Sequence, residues 1–197
     1  KKPLIVVPNH LTEQWAGDYT TLYPNAKILV MGKGDMTDAT SSKRFWGRAA
    51  TGDWDAVIVA QSRFSMIPVS PERRIAGLEA RRQEFIEART VAEEDESFSV
   101  KQIEAQVKIA DRKIKGLRQE KDSEGVYFDN LGFDMLVVDE AHTFKNLAVA
   151  TSMSVAGISV AGSQKCEDLL DKCDFVREAH PENLVFLTGT PVSNSMS

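Results

Sequence analysis

The sequence predicts an α/β fold: a parallel sheet flanked by helices, with an inserted antiparallel two-helix coiled-coil hairpin. Three observations carry this. Five short runs rich in Val, Ile and Leu do not alternate with polar residues, which is how strands covered on both faces of a parallel sheet read. Helical stretches separate those runs, the alternation that gives right-handed crossovers in a doubly wound layer. Residues 70–125 break the alternation, being charged and helical in character throughout.

In chain order, the predicted strands are Leu4–Val7, Ile28–Met31, Ala56–Ala60, Met135–Val138 and Leu184–Leu187. After the first, Leu11, Trp15, Tyr19 and Leu22 recur at helical spacing, with Asn9 placed to cap the start. Ser41 to Ala50 reads as a short helix ended near Gly52. Cys166, Leu169, Leu170, Cys173 and Val176 make the apolar face of another, with Ser163 as its N-cap. Strand and helix repeated in this way predict a RecA-like or Rossmann-like sheet. The chain opens inside a strand, so the natural protein is expected to begin earlier.

The helical segment starts at Ser70-Pro71, a cap residue followed by proline at the first helical position. Ser99 and Gln102 form a capping box in sequence. From there Val100, Ile103, Val107, Ala110, Ile114 and Leu117 hold a 3-4 repeat, the seam of a coiled coil. In the first arm Ile75, Leu78 and Phe85 fit the seam and Arg82 and Arg89 interrupt it. Glu93-Glu94-Asp95-Glu96 makes the tip. The hairpin is either a solvated spacer or a docking arm for a protein partner or for the rest of the parent protein.

Composition narrows the classes. At 197 residues and 42% hydrophobic the chain can bury one real core. It holds no apolar run of about 20 residues to cross a bilayer, so no membrane partner is expected. Lys1 to Val7 is too short to be a signal peptide. Cys166 and Cys173 lie two helical turns apart, beyond disulfide reach, as expected of a reducing, cytoplasmic protein. Three scattered histidines offer no zinc cluster. A net charge of −5 argues against gripping nucleic acid by overall potential, without excluding a local basic groove.

The chemistry concentrates where an apolar strand ends in two carboxylates, Met135-Leu136-Val137-Val138-Asp139-Glu140-Ala141-His142. In open α/β sheets ligands bind at the carboxyl ends of strands. An Asp there can hold Mg2+ that bridges nucleotide phosphates, and the adjacent Glu can orient the attacking water. Side by side, the two acids are costly without a cation to share. A chance match on a surface turn is disfavoured by the strand that precedes it.

Asp139-Glu140-Ala141-His142 resembles the DEAH form of the Walker B motif of superfamily 2 helicases, within the P-loop NTPase class. Leu187-Thr188-Gly189-Thr190-Pro191 resembles that family's motif III in its Swi2/Snf2 form, LTGTP. Thr188 and Thr190 can switch hydrogen-bond partners there, and Gly189 permits the turn. Leu4 to Leu11 with Gln14-Trp15 resembles motif Ia, which implies nucleic-acid contact at Pro8, Asn9 and His10. The alternative there is an ordinary strand-to-helix turn. Gln61 and Ser62 fall where the family places its next backbone-contacting loop. DEAHTFKN from Asp139 to Asn146 and the tail Thr190 to Ser195 also match the Swi2/Snf2 form. The nearest resemblance is to helicase regions of large mobile-element methylase–helicase proteins.

The resemblance implies ATP and Mg2+ as cofactors, with Mg2+ at Asp139, catalytic roles for Asp139 and Glu140, and coupling through His142. It implies DNA, duplex more than single-stranded, as the partner of the parent protein, and a second RecA-like lobe of the same chain. No G-x-x-x-x-G-K-[ST] phosphate loop is present: around Gly32-Lys33-Gly34, Lys27 and Gly34 stand where Gly and Ser/Thr are required. The family places that loop before motif Ia, so the fragment alone is expected to hydrolyse ATP negligibly. Two readings compete with the ATP-driven motor: a partner-docking module on a vestigial helicase lobe, and a restriction-type motor. A Ser or Cys hydrolase has no nucleophile elbow to support it.

Overall fold

The computed structural model describes residues 1–32, 34–35, 37–94, 100–119, 125–144, 147 and 162–190, without the side chains of 91–94 and 102. Among the described residues five strands form: β1 (Pro3–Val7), β2 (Ile28–Val30), β3 (Ala56–Ala60), β4 (Met135–Val138) and β5 (Leu184–Phe186). Six helices accompany them among the described residues: α1 (Thr12–Leu22), α2 (Ala39–Thr51), α3 (Gln61–Phe64), α4 (Pro71–Glu94), α5 (Val100–Gln119) and α6 (Gln164–Ala179). The strands make one sheet in the order β2-β3-β1-β4-β5, parallel at every pairing. Ile5 lies opposite Ile58 on one side and Val137 on the other. This is the RecA-like α/β fold.

Both faces of β1 and β3 are buried, which is why these strands do not alternate in sequence. The edge strand β5, expected to be buried, is only partly covered, with Phe186 49% exposed. Ile5, Val7, Ala56 and Ile58 form one cluster, packed by Ile28, Val30 and Val137 and by Trp15, Ala16 and Tyr19 of α1. The opposite row, Leu4, Val6, Leu29, Val57, Val59, Leu136 and Val138, is equally buried. Among the described residues no helix is long and apolar enough to cross a membrane.

The chain divides into two compact units. The first comprises Lys1–Val69, Gly125–Thr143 and Asp168–Gly189 and contains the sheet. Two helix starts there differ from expectation. Asn9 does not cap α1: a tight turn, Leu11 N–H to Pro8 O at 2.9 Å, delays the helix to Thr12, and Leu11 occupies the cap without a side-chain bond. Asn9 instead accepts from Ser62 N–H at 3.3 Å. The α2 helix begins two residues early because Asp38 and Ser41 form a reciprocal capping box.

On α6 Cys166, Leu169, Cys173 and Val176 of the expected face are buried and Leu170 is half-buried, while two polar residues, Asp171 and Lys172, are buried beside them. The Lys172 ammonium donates to Asp168 Oδ2 at 2.6 Å and to the Phe64 carbonyl at 2.8 Å. It stands 4.0 Å from the centre of the Phe64 ring. Phe64, Phe133 and Phe175 pack around Phe128, with ring centres 5.8–6.2 Å from it. Burial also pushes the Cys173 thiol from 9.0 up to about 12. A thiol harder to ionise in the fold than in the unfolded chain stabilises the fold below about pH 9 and loses that contribution as pH rises toward about 12. Cys173 should therefore react with a thiol reagent at mildly alkaline pH only after denaturant is added. Rapid labelling of the native chain would contradict this.

The second unit comprises Ser70–Glu124, Phe144–Glu167 and Thr190–Ser197. Its helices α4 and α5 are antiparallel, since Arg82 pairs with Asp111 at 2.6 Å, Arg89 with Glu104 at 3.5 Å and Glu79 with Arg118 at 2.6 Å. The seam buries Leu78, Phe85, Ile103, Ala110 and Ile114. Phe85 and Ile103 form its cluster with Ala88, Val100 and Val107. Arg82 and Arg89, which interrupt the apolar repeat, are the residues that reach across to α5. Ser163 caps α6, accepting from Cys166 N–H at 3.3 Å. Asp95, Glu96 and Ser99 lie outside the described residues, as do the side chains of Glu93, Glu94 and Gln102.

Candidate active site

Because all five strands are parallel, their carboxyl ends share one edge of the sheet. From β1 the chain crosses to β2 on one side, while from β4 it crosses to β5 on the other. Adjacent strands whose connections diverge open a crevice, the usual ligand site of an open α/β sheet. Pro8, Asn9 and His10 leave β1 at this point, and Asp139 and Glu140 leave β4. Gln61 and Ser62 follow β3, and Thr188 follows β5.

Asp139 is held from four directions. Its N–H donates to Val6 O of β1 at 2.8 Å, and its carbonyl accepts from Gln61 Nε2 at 2.8 Å. Oδ1 accepts from Glu140 N–H at 2.9 Å, and Oδ2 accepts from the Trp15 indole N–H at 3.1 Å. Two donors, one to each oxygen, fix the plane of the carboxylate. Trp15 reads in sequence as part of an apolar helical face, which does not reveal its role as a donor. An indole N–H needs a partner when buried, but spacing cannot say which.

Gln61 is also placed differently from the groove contact that its position in the sequence suggests. Its side chain is buried, bonded to the Asp139 carbonyl and accepting from the Thr143 hydroxyl at 3.3 Å. The amide thus faces the acidic turn. Its neighbour Ser62 is exposed, with Asn9 and His10. The Asn9–Ser62 bond brings these two candidate backbone-contacting loops together.

Glu140 has φ of +49°, the one non-glycine among the described residues in the left-handed region. Such a conformation is uncommon for a residue with a Cβ and costs of order 1–3 kcal/mol. It turns the chain sharply after β4, into a 3-10 turn at Ala141–Phe144. There His142 Nδ1 lies 3.0 Å from Glu140 Oε2 and 3.2 Å from Thr188 Oγ1. A carboxylate only accepts, so Nδ1 carries a proton in this arrangement, shared with the hydroxyl oxygen. Two backbone bonds fasten the β5 end beside the acidic turn, Leu187 N–H to Val138 O and Ala141 N–H to Leu187 O, both 2.9 Å.

Gly189 is exposed and does not take a left-handed φ, and an added Cβ would meet nothing within 4 Å. The turn as it stands does not require glycine. Thr190 is exposed, at the end of the described segment. Lys33, Lys145, Asn146 and Pro191 to Ser195 lie outside the described residues.

Among the described residues no three His, Cys, Asp or Glu side chains cluster as a metal cage. The donor chemistry at Asp139 nevertheless suits Mg2+, which keeps most of its waters and takes one or two carboxylates. Each Asp139 oxygen accepts one described hydrogen bond and has a further lone pair for a metal-bound water. No curated protein matches the chain. The family described as "Probable helicase domain" matches residues 1–197, the whole length. With its parallel sheet and an acidic turn at the crevice, the chain belongs to that family of helicase domains.

Proposed function

We propose that this chain is the part of an ATP-driven nucleic-acid motor of superfamily 2, in its Swi2/Snf2-like branch, that carries the magnesium and water-orienting carboxylates. The observation that carries the reading is one connected set: Asp139 fixed by Trp15 and Gln61, and Glu140 linked through His142 to Thr188. In it, Asp139 would hold Mg2+ and Glu140 would orient the water that attacks the terminal phosphate. Bound Mg2+ would neutralise charge developing on the phosphates. His142 carries the link from Glu140 to the strand-end hydroxyl of Thr188. Movement of that hydroxyl, with Gly189 and Thr190, would reach the carboxylate through one imidazole. Pro8, Asn9, His10 and Ser62 offer backbone and polar groups to the nucleic-acid backbone, DNA in the first instance.

The test uses a protein carrying this chain together with an upstream phosphate loop and a downstream second lobe. ATP hydrolysis is measured with and without duplex DNA. Turnover that rises with DNA supports the motor, and its absence from a folded protein would defeat it. In the same protein Trp15→Phe keeps the ring and removes the donor to Asp139. Loss of an outer partner of a metal-holding carboxylate should raise the Mg2+ concentration for half-maximal turnover by about 10-fold. An unchanged Mg2+ profile would assign Trp15 to packing alone.

A further inference from the structure

The α5 helix carries six cations and two acids, and all but four of these charges are neutralised within the second unit. Its acids, Glu104 and Asp111, pair with Arg89 and Arg82 of α4. Two of its cations, Lys113 and Arg118, pair with Glu167 and Glu79. Lys101, Lys108, Arg112 and Lys115 remain, exposed and without an ion pair among the described residues. At 3.6 residues per turn these four fall within about 40° of one line along the helix, opposite the buried seam. At 1.5 Å per residue they span about 21 Å. Ala105 and Gln119, the other exposed residues on that line, bear no charge.

The outer row of α4 differs. Ala76, Ala80, Gln83, Glu84 and Glu87 are exposed there, and none is basic. The single-sign stripe is thus a property of α5 and not of the hairpin's composition at large, and it stands out in a chain of net charge −5.

We propose that this face of α5 is a docking surface for the phosphate backbone of nucleic acid. The proposal rests on the motor reading and adds to it a contact on the inserted hairpin. Charge complementarity selects the partner. Three of the four cations are lysines, which are depleted in protein–protein interfaces, and the line holds no aromatic or large aliphatic anchor. Lysine and arginine rows serve phosphate, where each contact releases a counterion. A duplex presents about one charge per 1.7 Å of axis, so about 21 Å of it offers about a dozen phosphates to four cations. The arginines of α4 contribute by drawing Glu104 and Asp111 away from the stripe, so that no carboxylate competes with phosphate for it.

The experiment measures binding of the whole chain to a short fluorescent duplex DNA by anisotropy across a salt series, without nucleotide. The stripe variant is Lys101→Gln/Lys108→Gln/Arg112→Gln/Lys115→Gln, glutamine being a good helix former. A control, Lys27→Gln/Lys43→Gln/Arg44→Gln/Arg48→Gln, removes the same charge from the sheet unit. The expected result is a loss of about tenfold or more in affinity for the stripe variant only. Its dependence of log K on log salt should flatten by up to about 3.6 units, about 0.9 for each of the four cations. Equal losses in both variants, or no binding by the unsubstituted chain at low salt, would overturn the proposal. So would self-association in gel filtration that only the stripe variant loses, since the stripe would then serve a second copy's acidic residues. With no nucleotide present, failure here leaves the DNA-stimulated ATP-turnover test of the motor standing, whereas absence of that turnover would defeat the motor reading itself, so the two failures are distinguishable.

Discussion

Glu140→Gln should lower DNA-stimulated ATP turnover by about 10²–10⁴-fold in a protein with the phosphate loop and second lobe in place. Nucleotide and DNA binding should remain within a few-fold. The substitution keeps size and hydrogen-bonding shape but removes the charge that the proposed mechanism uses to polarise water. It also exchanges a carboxylate–imidazole contact at 3.0 Å for an amide–imidazole one, so coupling to Thr188 weakens with chemistry. Steady-state turnover and a nucleotide-binding assay check both halves. Turnover within about threefold of the unsubstituted protein would remove Glu140 from the mechanism.

The backbone at Glu140 gives that experiment a second readout. At φ of +49° a side chain is strained and glycine is not. Glu140→Gly should therefore abolish turnover while leaving the fold as stable or up to about 1 kcal/mol more stable. A residue retained only for packing would show the reverse, with stability lost and chemistry spared. Chemical denaturation of the two variants side by side distinguishes these outcomes.

Lys172→Ala should destabilise the sheet unit by about 3–5 kcal/mol, the usual effect of removing one partner of a buried ion pair. Lys172 is fully buried, and Asp168 is nearly so. The ammonium is the donor that holds the Phe64 carbonyl at the end of α3, whose first residue, Gln61, reaches Asp139. Lys172→Met retains most of the packing against Phe64 and Phe128. It leaves the carbonyl with only the 3.4 Å bond from Ile67 N–H and Asp168 without its cation, so the loss should fall at the low end of that range, about 3 kcal/mol. Urea unfolding measures both. A loss under about 1 kcal/mol for the alanine variant would mean that water replaces the ammonium and that the pair contributes little to the core.

Strands and seam were legible in the sequence because each rests on a short-range rule. A strand buried on both faces must be apolar at successive positions, so Leu4–Val7 and Ala56–Ala60 identify themselves without reference to their neighbours. The α5 seam repeats every three or four residues, and Ile103, Ala110 and Ile114 are buried as that period requires. Asp139-Glu140 declared itself by contrast, two acids where an apolar strand stops. Asn9 misled because cap propensity is read from residue type alone, whereas the Pro8–Leu11 turn moved the helix start beyond its reach.

By itself, then, the sequence determined the layer architecture, the hairpin and the position of the acidic turn, all consequences of periodicity and of strand ends. Only the tertiary structure decided which groups meet across the sheet. Trp15 and Asp139 are 124 positions apart, Gln61 and Asp139 are 78, and Lys172 and Phe64 are 108. Arg82 and Arg89 changed meaning in the same way, from faults in a seam to partners of Asp111 and Glu104. Polar partners are chosen by geometry after the apolar layers have packed. A linear pattern records which residues must be buried, but not which donor each buried acceptor will face.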